Sequence, residues 1–212
     1  MNKKFLQFVI FLIGLVASIG FDQWTKVLAV THLMNNEPYV IWDGVFELHY
    51  SENRGAAFGM LQGQQGIFFL IAVVVIAAVV WTFYRMPAER RYLPFTFCLF
   101  LLVSGAVGNM IDRVSNGFVV DFLYFKLIDF PIFNVADCYV VISTILLILL
   151  SFFYYTEEEL GFLSLGKKAA EKEAKICTEA ETAKTDGGAA EGTSEPESAK
   201  TTEIPAGKEL DA

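Results

Sequence analysis

The sequence has no CxxC pair, and its three cysteines, Cys98, Cys138 and Cys177, are odd in number and scattered between apolar runs and the C-terminal segment. That excludes a disulfide framework. Histidine is equally scarce: neither His32 nor His49 stands at a metal-like spacing from a cysteine, so no zinc site and no cofactor is expected. Charge is sparse in most of the chain. The formal net charge of -8 comes from the end, where residues 157–212 hold 14 acids against 7 lysines, leaving 10 acids against 9 Lys and Arg in residues 1–156. No basic surface for nucleic acid is expected. What the chain has in quantity is apolar surface: the mean hydropathy is +0.46, with 20 phenylalanines, which points to lipid as the solvent.

Four stretches, about 5–21, 66–84, 93–111 and 135–155, approach the roughly 17–25 apolar residues that a bilayer-spanning helix needs. Four transmembrane helices are predicted. Lys3 and Lys4 precede the first, Arg85, Arg90 and Arg91 lie between the second and third, and Lys167 and Lys168 follow the fourth. Basic loops stay in the cytoplasm, so both termini are expected there and residues 22–65 and 112–134 on the outside. A signal-peptide reading of the first span, with small Ser18 and Gly20 near a cleavage position, is disfavoured because the apolar run exceeds the usual length. The outer "YVIWDGVFELHY" holds two alternating runs joined by Asp43-Gly44, which predicts a type I′ hairpin in a β-structured segment at about 36–60. Its second strand is expected to turn Phe46, Leu48 and Tyr50 to one face, and Glu47 and His49 to the other. The fold class is thus an all-α membrane protein with four transmembrane helices, a small extracytoplasmic β-cradle and a disordered cytoplasmic tail. Its domains are 1–156, in the membrane, and 157–212, an Ala-, Glu- and Lys-rich segment with at most one short helical stretch near its start.

Carboxylates are costly inside or beside a bilayer and mark functional sites by default. Asp121 in "GFVVDFLY" and Asp137 in "FNVADC" both fall at the outer interface, and the turn at Pro131 allows them to meet. Two facing carboxyls suit aspartic proteolysis: one draws a proton from water, the other polarises the peptide carbonyl. A capping role competes for Asp137, because Asn134 stands three residues before it. For Asp121 the competing role is a solvated interfacial residue, and Asp129 is read as a turn former beside Pro131. In "SGAVGNMIDRVSNG", Asn109, Asp112 and Arg113 share one helical face, while Gly105 and Gly108 permit close helix approach. Asp22, Asn53 and Arg54 map to the same interface; Trp24 reads as an aromatic-belt residue and Lys26 as a snorkelling anchor. A small transporter or proton-relay subunit is the alternative function, although the acids cluster at one interface and no paired, interrupted helices are visible. A non-enzymatic assembly protein, and a serine protease using Ser51 or Ser115 with Lys26, are weaker still.

Across about residues 5–155 the sequence resembles the bacterial lipoprotein signal peptidase (signal peptidase II) family. The resemblance rests on five boxes in order: "DQWTK" at 22–26, "NRGAAFG" at 53–59, "GNMIDR" at 108–113, "GFVVDF" at 117–122 and "FNVAD" at 133–137. It implies an aspartic endopeptidase of the bacterial inner membrane, with its active site at the periplasmic interface, that cuts diacylglyceryl-modified prolipoproteins just before the lipidated cysteine. By the same resemblance Asp121 and Asp137 are the catalytic pair, while Asp22, Asn53, Asn109, Arg113 and Asn134 support the pair or contact substrate and globomycin-type inhibitors. Membrane lipids are the other expected partners, and a monomer is the expected state. The acidic tail lies outside the resemblance.

Overall fold

A computed structural model describes residues 3–55 and 64–164; the remainder of the expected tail, Cys177 and most of the "NRGAAFG" box lie outside the described residues. The described chain belongs to one compact unit, Met1–Leu165. Four helices in it are long and apolar enough to cross a membrane. They are α1 (Lys3–Leu33), α2 (Gln65–Arg85), α3 (Leu93–Asn116) and α4 (Val135–Leu149, continued by a π-helical turn, Leu150–Tyr154).

The bundle is built around α3. It buries a run of residues from Phe95 to Asp112, whereas α1, α2 and α4 each leave an apolar face uncovered, with Val16, Leu70 and Ile145 all more than half exposed. Such faces suit hydrocarbon, which exerts no penalty on them. Helix approach depends on small residues where the packing is tightest. A Cβ on Gly105 would stand 2.5 Å from the Ala136 carbonyl oxygen of α4, and one on Gly14 would stand 2.7 Å from the Phe100 ring. Polar side chains tie α1 to α3 in parallel register: Gln7 Nε2 donates to Thr96 Oγ1 at 3.0 Å, and Lys26 Nζ to Asn109 Oδ1 at 3.0 Å. At the end of the bundle where α3 begins, Val79, Met86, Tyr92, Phe95, Leu99 and Tyr155 form an apolar cluster. Leu160 and Phe162, from a single 3₁₀ turn at Glu159–Leu163, pack against it.

At the other end lies a three-stranded antiparallel sheet in the order β1 (Tyr39–Trp42), β2 (Phe46–Asn53), β3 (Val119–Phe125). Gly117, at φ 81°, takes the left-handed conformation that stops α3, and its N–H bonds back to Arg113 O at 3.1 Å. That sharp stop feeds the chain directly into β3 and so places Asp121 beside the end of α3. The sheet rests on α1 through Ala29, Leu33, Val120 and Phe122.

Two sequence expectations need correction. The first helix does not stop with its apolar run at residue 21: α1 continues to Leu33, with Asp22 and Lys26 paired four residues apart inside it. The β1–β2 turn is not type I′. Only Gly44 of the central pair has positive φ, and a bulge at Val40/Trp42 supplies the remaining twist. Glu47 of β2 is buried, and its Oε1 accepts from Lys126 Nζ at 2.6 Å.

Candidate active site

The site forms where the ends of α1 and α3, the start of α4 and strands β2 and β3 converge. Each contributes through a local feature of its sequence. Asn134 is the N-cap of α4: its side-chain oxygen accepts the Asp137 N–H at 3.0 Å, while Asp137 Oδ2 accepts the Asn134 N–H at 3.1 Å, a complete capping box. Capping therefore holds Asp137 in place without using up its other oxygen. Asp137 Oδ1 accepts from Asn109 Nδ2 at 2.8 Å.

Asp121 sits on β3 directly opposite Ser51. Two amides hold it: Asn53 Nδ2 reaches Oδ2 at 2.9 Å from the diagonal position on β2, and Asn134 Nδ2 reaches Oδ1 at 2.6 Å. Asn134 thus joins the two carboxyls, through its side-chain nitrogen to Asp121 and through its backbone N–H to Asp137. All four carboxyl oxygens carry a donor. Asp121 is only 2% exposed. Burial, and next the charge of Asp137, push its carboxyl up to about 7, against the opposing pull of Asn53, Asn134 and Lys26.

Beneath the pair lies a second layer, and here the reading of Lys26 as a snorkelling anchor fails. Lys26 is 3% exposed; its ammonium meets Asp22 Oδ2, Asp112 Oδ2 and Asn109 Oδ1, each at 3.0 Å. Three donors find three acceptors. The two aspartates are anchored in turn: Asp22 Oδ1 accepts the Ala136 N–H at 2.9 Å, Asp112 Oδ2 the Val120 N–H at 3.1 Å, and Gln23 Nε2 donates to Asp112 Oδ1 at 3.0 Å. Asp22 therefore pins the first turn of α4 and Asp112 pins β3, the two elements that carry Asp137 and Asp121. Asp112, Gln23 and Lys26 were missed as site residues. The signal was present in the i, i+4 spacing of Asp22 and Lys26. A Cβ on Gly108 would come within 2.5 Å of Asp22 Oδ2, so this layer also requires that glycine.

Asp137, Asn53, Asn109 and Arg113 line a cavity of about 720 Å³ whose remaining lining is largely apolar and comes from α2, α3, α4 and residues 130–133. Asp121 adjoins this lining through its bond from Asn53. Arg113 donates to Gly55 O and Asn109 O, both at 3.2 Å, and its guanidinium lies 4.4 Å from the centre of the Phe68 ring. The sequence-derived residues Asp22, Asn53, Asn109, Arg113, Asp121, Asn134 and Asp137 are thus brought into one hydrogen-bonded neighbourhood. Asp129 stands apart, in a turn at φ 47° where it accepts from Tyr124 Oη at 2.7 Å.

Four membrane-length helices with an amide-bound pair of carboxyls, Asp121 buried and Asp137 lining an apolar cavity, define a multi-pass membrane protein with a polar centre suited to catalysis. Comparison with known proteins makes this specific. Residues 14–153 match the family described as signal peptidase (SPase) II. The lipoprotein signal peptidase of Streptococcus thermophilus (strain CNRZ 1066) is 43% identical over 134 residues, covering 63% of this chain and 86% of that protein. That of Clostridioides difficile (strain 630) is 38% identical over 137 residues, covering 65% and 90%. A bacterial membrane enzyme solved by the in meso method at 2.3 Å superposes with a TM-score of 0.59 at 33% identity, over 66% of this chain and 85% of that one. The chain belongs to the signal peptidase II family, and is a membrane protease.

Proposed function

We propose that the chain is an aspartic endopeptidase that removes signal peptides from diacylglyceryl-modified prolipoproteins, with Asp121 and Asp137 as its catalytic pair. The observation that carries this reading is the joining of the two carboxyls through Asn134, with every oxygen held by a donor. A pair of this kind retains a proton near neutrality, which suits it to general acid and general base work together. Water held between the carboxyls attacks the peptide carbonyl carbon while the ionised carboxyl takes its proton and the protonated one donates to the carbonyl oxygen. The tetrahedral intermediate collapses when the C–N bond breaks and a proton passes to the leaving amine. That amine is the N-terminus of the lipidated cysteine.

The remaining site residues divide between holding and binding. Asn53, Asn109 and Asn134 fix the carboxyls, Asp22 fixes α4, and Arg113 faces the cavity with guanidinium hydrogens for a substrate backbone carbonyl. The apolar wall of the cavity suits an extended apolar signal segment, and globomycin-type inhibitors would occupy the same space. Acyl chains can remain in lipid between α2 and α4. The basic residues Lys3, Lys4, Arg85, Arg90 and Arg91 stand at the opposite end of the bundle from the aspartates, which supports cytoplasmic termini and a periplasmic active site in the inner membrane. We further propose that the peptidase acts as a monomer and that its membrane domain, residues 1–156, is completed by Leu160 and Phe162 packed on its core.

Substrate class is tested by incubating the purified enzyme with one prolipoprotein in two forms, with and without the diacylglyceryl group. The lipidated form should lose its signal peptide and the unmodified form should not. Equal cleavage of both would remove the lipid from the specificity.

A further inference from the structure

A second cavity lies at the far end of the bundle, about 550 Å³ in volume, between the first turns of α1 and the start of α3. Gln7 separates it from Asp22 by 15 residues of one helix, about 22 Å along the axis. Its walls combine two chemistries. Leu6, Ile10 and Leu93 are apolar, and Lys3, Arg90 and Arg91 are cationic. Glu159 already pairs with Arg91, and Glu89 is the one acid in the lining; Lys3 and Arg90 make no ion pair among the described residues.

The decisive feature is Gln7. It is 4% exposed, it lines this cavity, and its Oε1 has no hydrogen-bond partner, alone in this among the buried side-chain atoms of the described residues. The orientation of the amide is fixed by its neighbours. Thr96 Oγ1 donates to Tyr92 O at 2.9 Å, so toward Gln7 it must accept, and it takes Nε2 at 3.0 Å. The oxygen is left as an acceptor lacking a donor, which is costly in a buried position.

We propose that this cavity is a binding site for an anionic phospholipid whose headgroup carries a hydroxyl. The phosphodiester would lie against Lys3 and Arg90, the headgroup hydroxyl would donate to Gln7 Oε1, and an acyl chain would follow Leu6 and Ile10 along the uncovered face of α1. The site lies beside the first turns of α1 and the start of α3, both of membrane-spanning length, so its occupant can arrive from the bilayer. The inference is independent of the hydrolytic reading, because none of these residues belongs to the aspartate network.

Native mass spectrometry of the delipidated full-length protein provides the test, with phosphatidylglycerol, phosphatidylmethanol and phosphatidylcholine of matched acyl chains as probes. Phosphatidylmethanol keeps the phosphodiester charge and lacks the hydroxyl. Phosphatidylglycerol should bind about tenfold tighter than phosphatidylmethanol, the worth of one hydrogen bond, and both should exceed phosphatidylcholine. In Gln7→Leu the first difference should vanish; in Lys3→Gln/Arg90→Gln the preference for anionic lipid should vanish. Equal binding of all three lipids by the wild type would overturn the site, and that comparison needs no variant to fold. Persistence of the glycerol preference in Gln7→Leu would overturn the role of Gln7. Displacement of phosphatidylglycerol by millimolar glycerol 3-phosphate would show a soluble phosphate site and overturn the lipid assignment.

Discussion

Replacing Gly105 by alanine adds one methyl group at the tightest contact between α3 and α4. The new Cβ would stand 2.5 Å from the Ala136 carbonyl oxygen and 2.6 Å from Val140 Cγ2, against 3.4 Å for an ordinary contact. Relief requires α4 to move by about 0.9 Å, and the obstacle on the α4 side is backbone, which cannot rotate away. Asp137 is the next residue along. Such a shift stretches the 2.8 Å bond from Asn109 Nδ2 to Asp137 Oδ1 to roughly 3.5 Å or more, past useful hydrogen bonding. Overpacking of this kind costs about 1–3 kcal/mol, and misplacing a reacting group by about 1 Å can cost about 100-fold in rate. Gly20→Ala is the matched control: nothing lies within 4 Å of its Cβ, and alanine should stabilise the exposed helix by about 0.5–1 kcal/mol. Thermal unfolding in detergent should shift down for Gly105→Ala and up for Gly20→Ala, and cleavage of a lipidated precursor should fall only in Gly105→Ala. Wild-type cleavage by Gly105→Ala at an unchanged melting temperature would refute the packing account.

Titration of Asp121 has two consequences. Unfolded, this carboxyl releases its proton near pH 4, but folded it keeps it to about 7. Stability should therefore fall as pH rises from about 4 to about 7 and level off above, and Asp121→Asn should flatten that slope in melting curves. Cleavage should decline above about pH 7 as the shared proton is lost, and Asn53→Ala, which removes a donor to the ionised form, should move that decline to higher pH; a decline displaced downward would contradict the assignment. Lys26→Met leaves Asp22 and Asp112 buried without their counter-charge, a loss of about 3–5 kcal/mol that intrinsic-fluorescence melts would register. An unchanged melt would mean that the pair is neutralised in some other way.

Much of the fold could be read from hydropathy because span length is dictated by bilayer thickness, and four runs of the required length were visible. Their ends were less visible. Hydropathy treats Asp22 and Lys26 as the exit from the membrane, whereas in the fold both lie within one helix and Lys26 is shared between Asp22 and Asp112. Leu160 and Phe162 likewise follow the composition break at 157, yet they pack on the core. Asp121 and Asp137 stood out because a carboxyl in an apolar segment needs a reason. The capping reading of Asp137 proved compatible with the functional one, since the capping box uses one oxygen and leaves the other for Asn109. Hidden from the sequence were the strand pairing that sets Asn53 diagonal to Asp121, and the isolation of Gln7 Oε1, which depends on a threonine in another helix.

If Asp121 and Asp137 together perform the hydrolysis, neither carboxyl can be dispensed with. Asp121→Asn and Asp137→Asn keep size and shape, and the asparagine oxygen at 137 can still accept the Asn134 N–H that caps α4. Release of the signal peptide from a diacylglyceryl-modified prolipoprotein should be followed by gel shift for both variants, each confirmed folded by its melting curve. Loss of cleavage in both is the expected result. Cleavage persisting in either folded variant would return that aspartate to a purely structural role and contradict the catalytic pair.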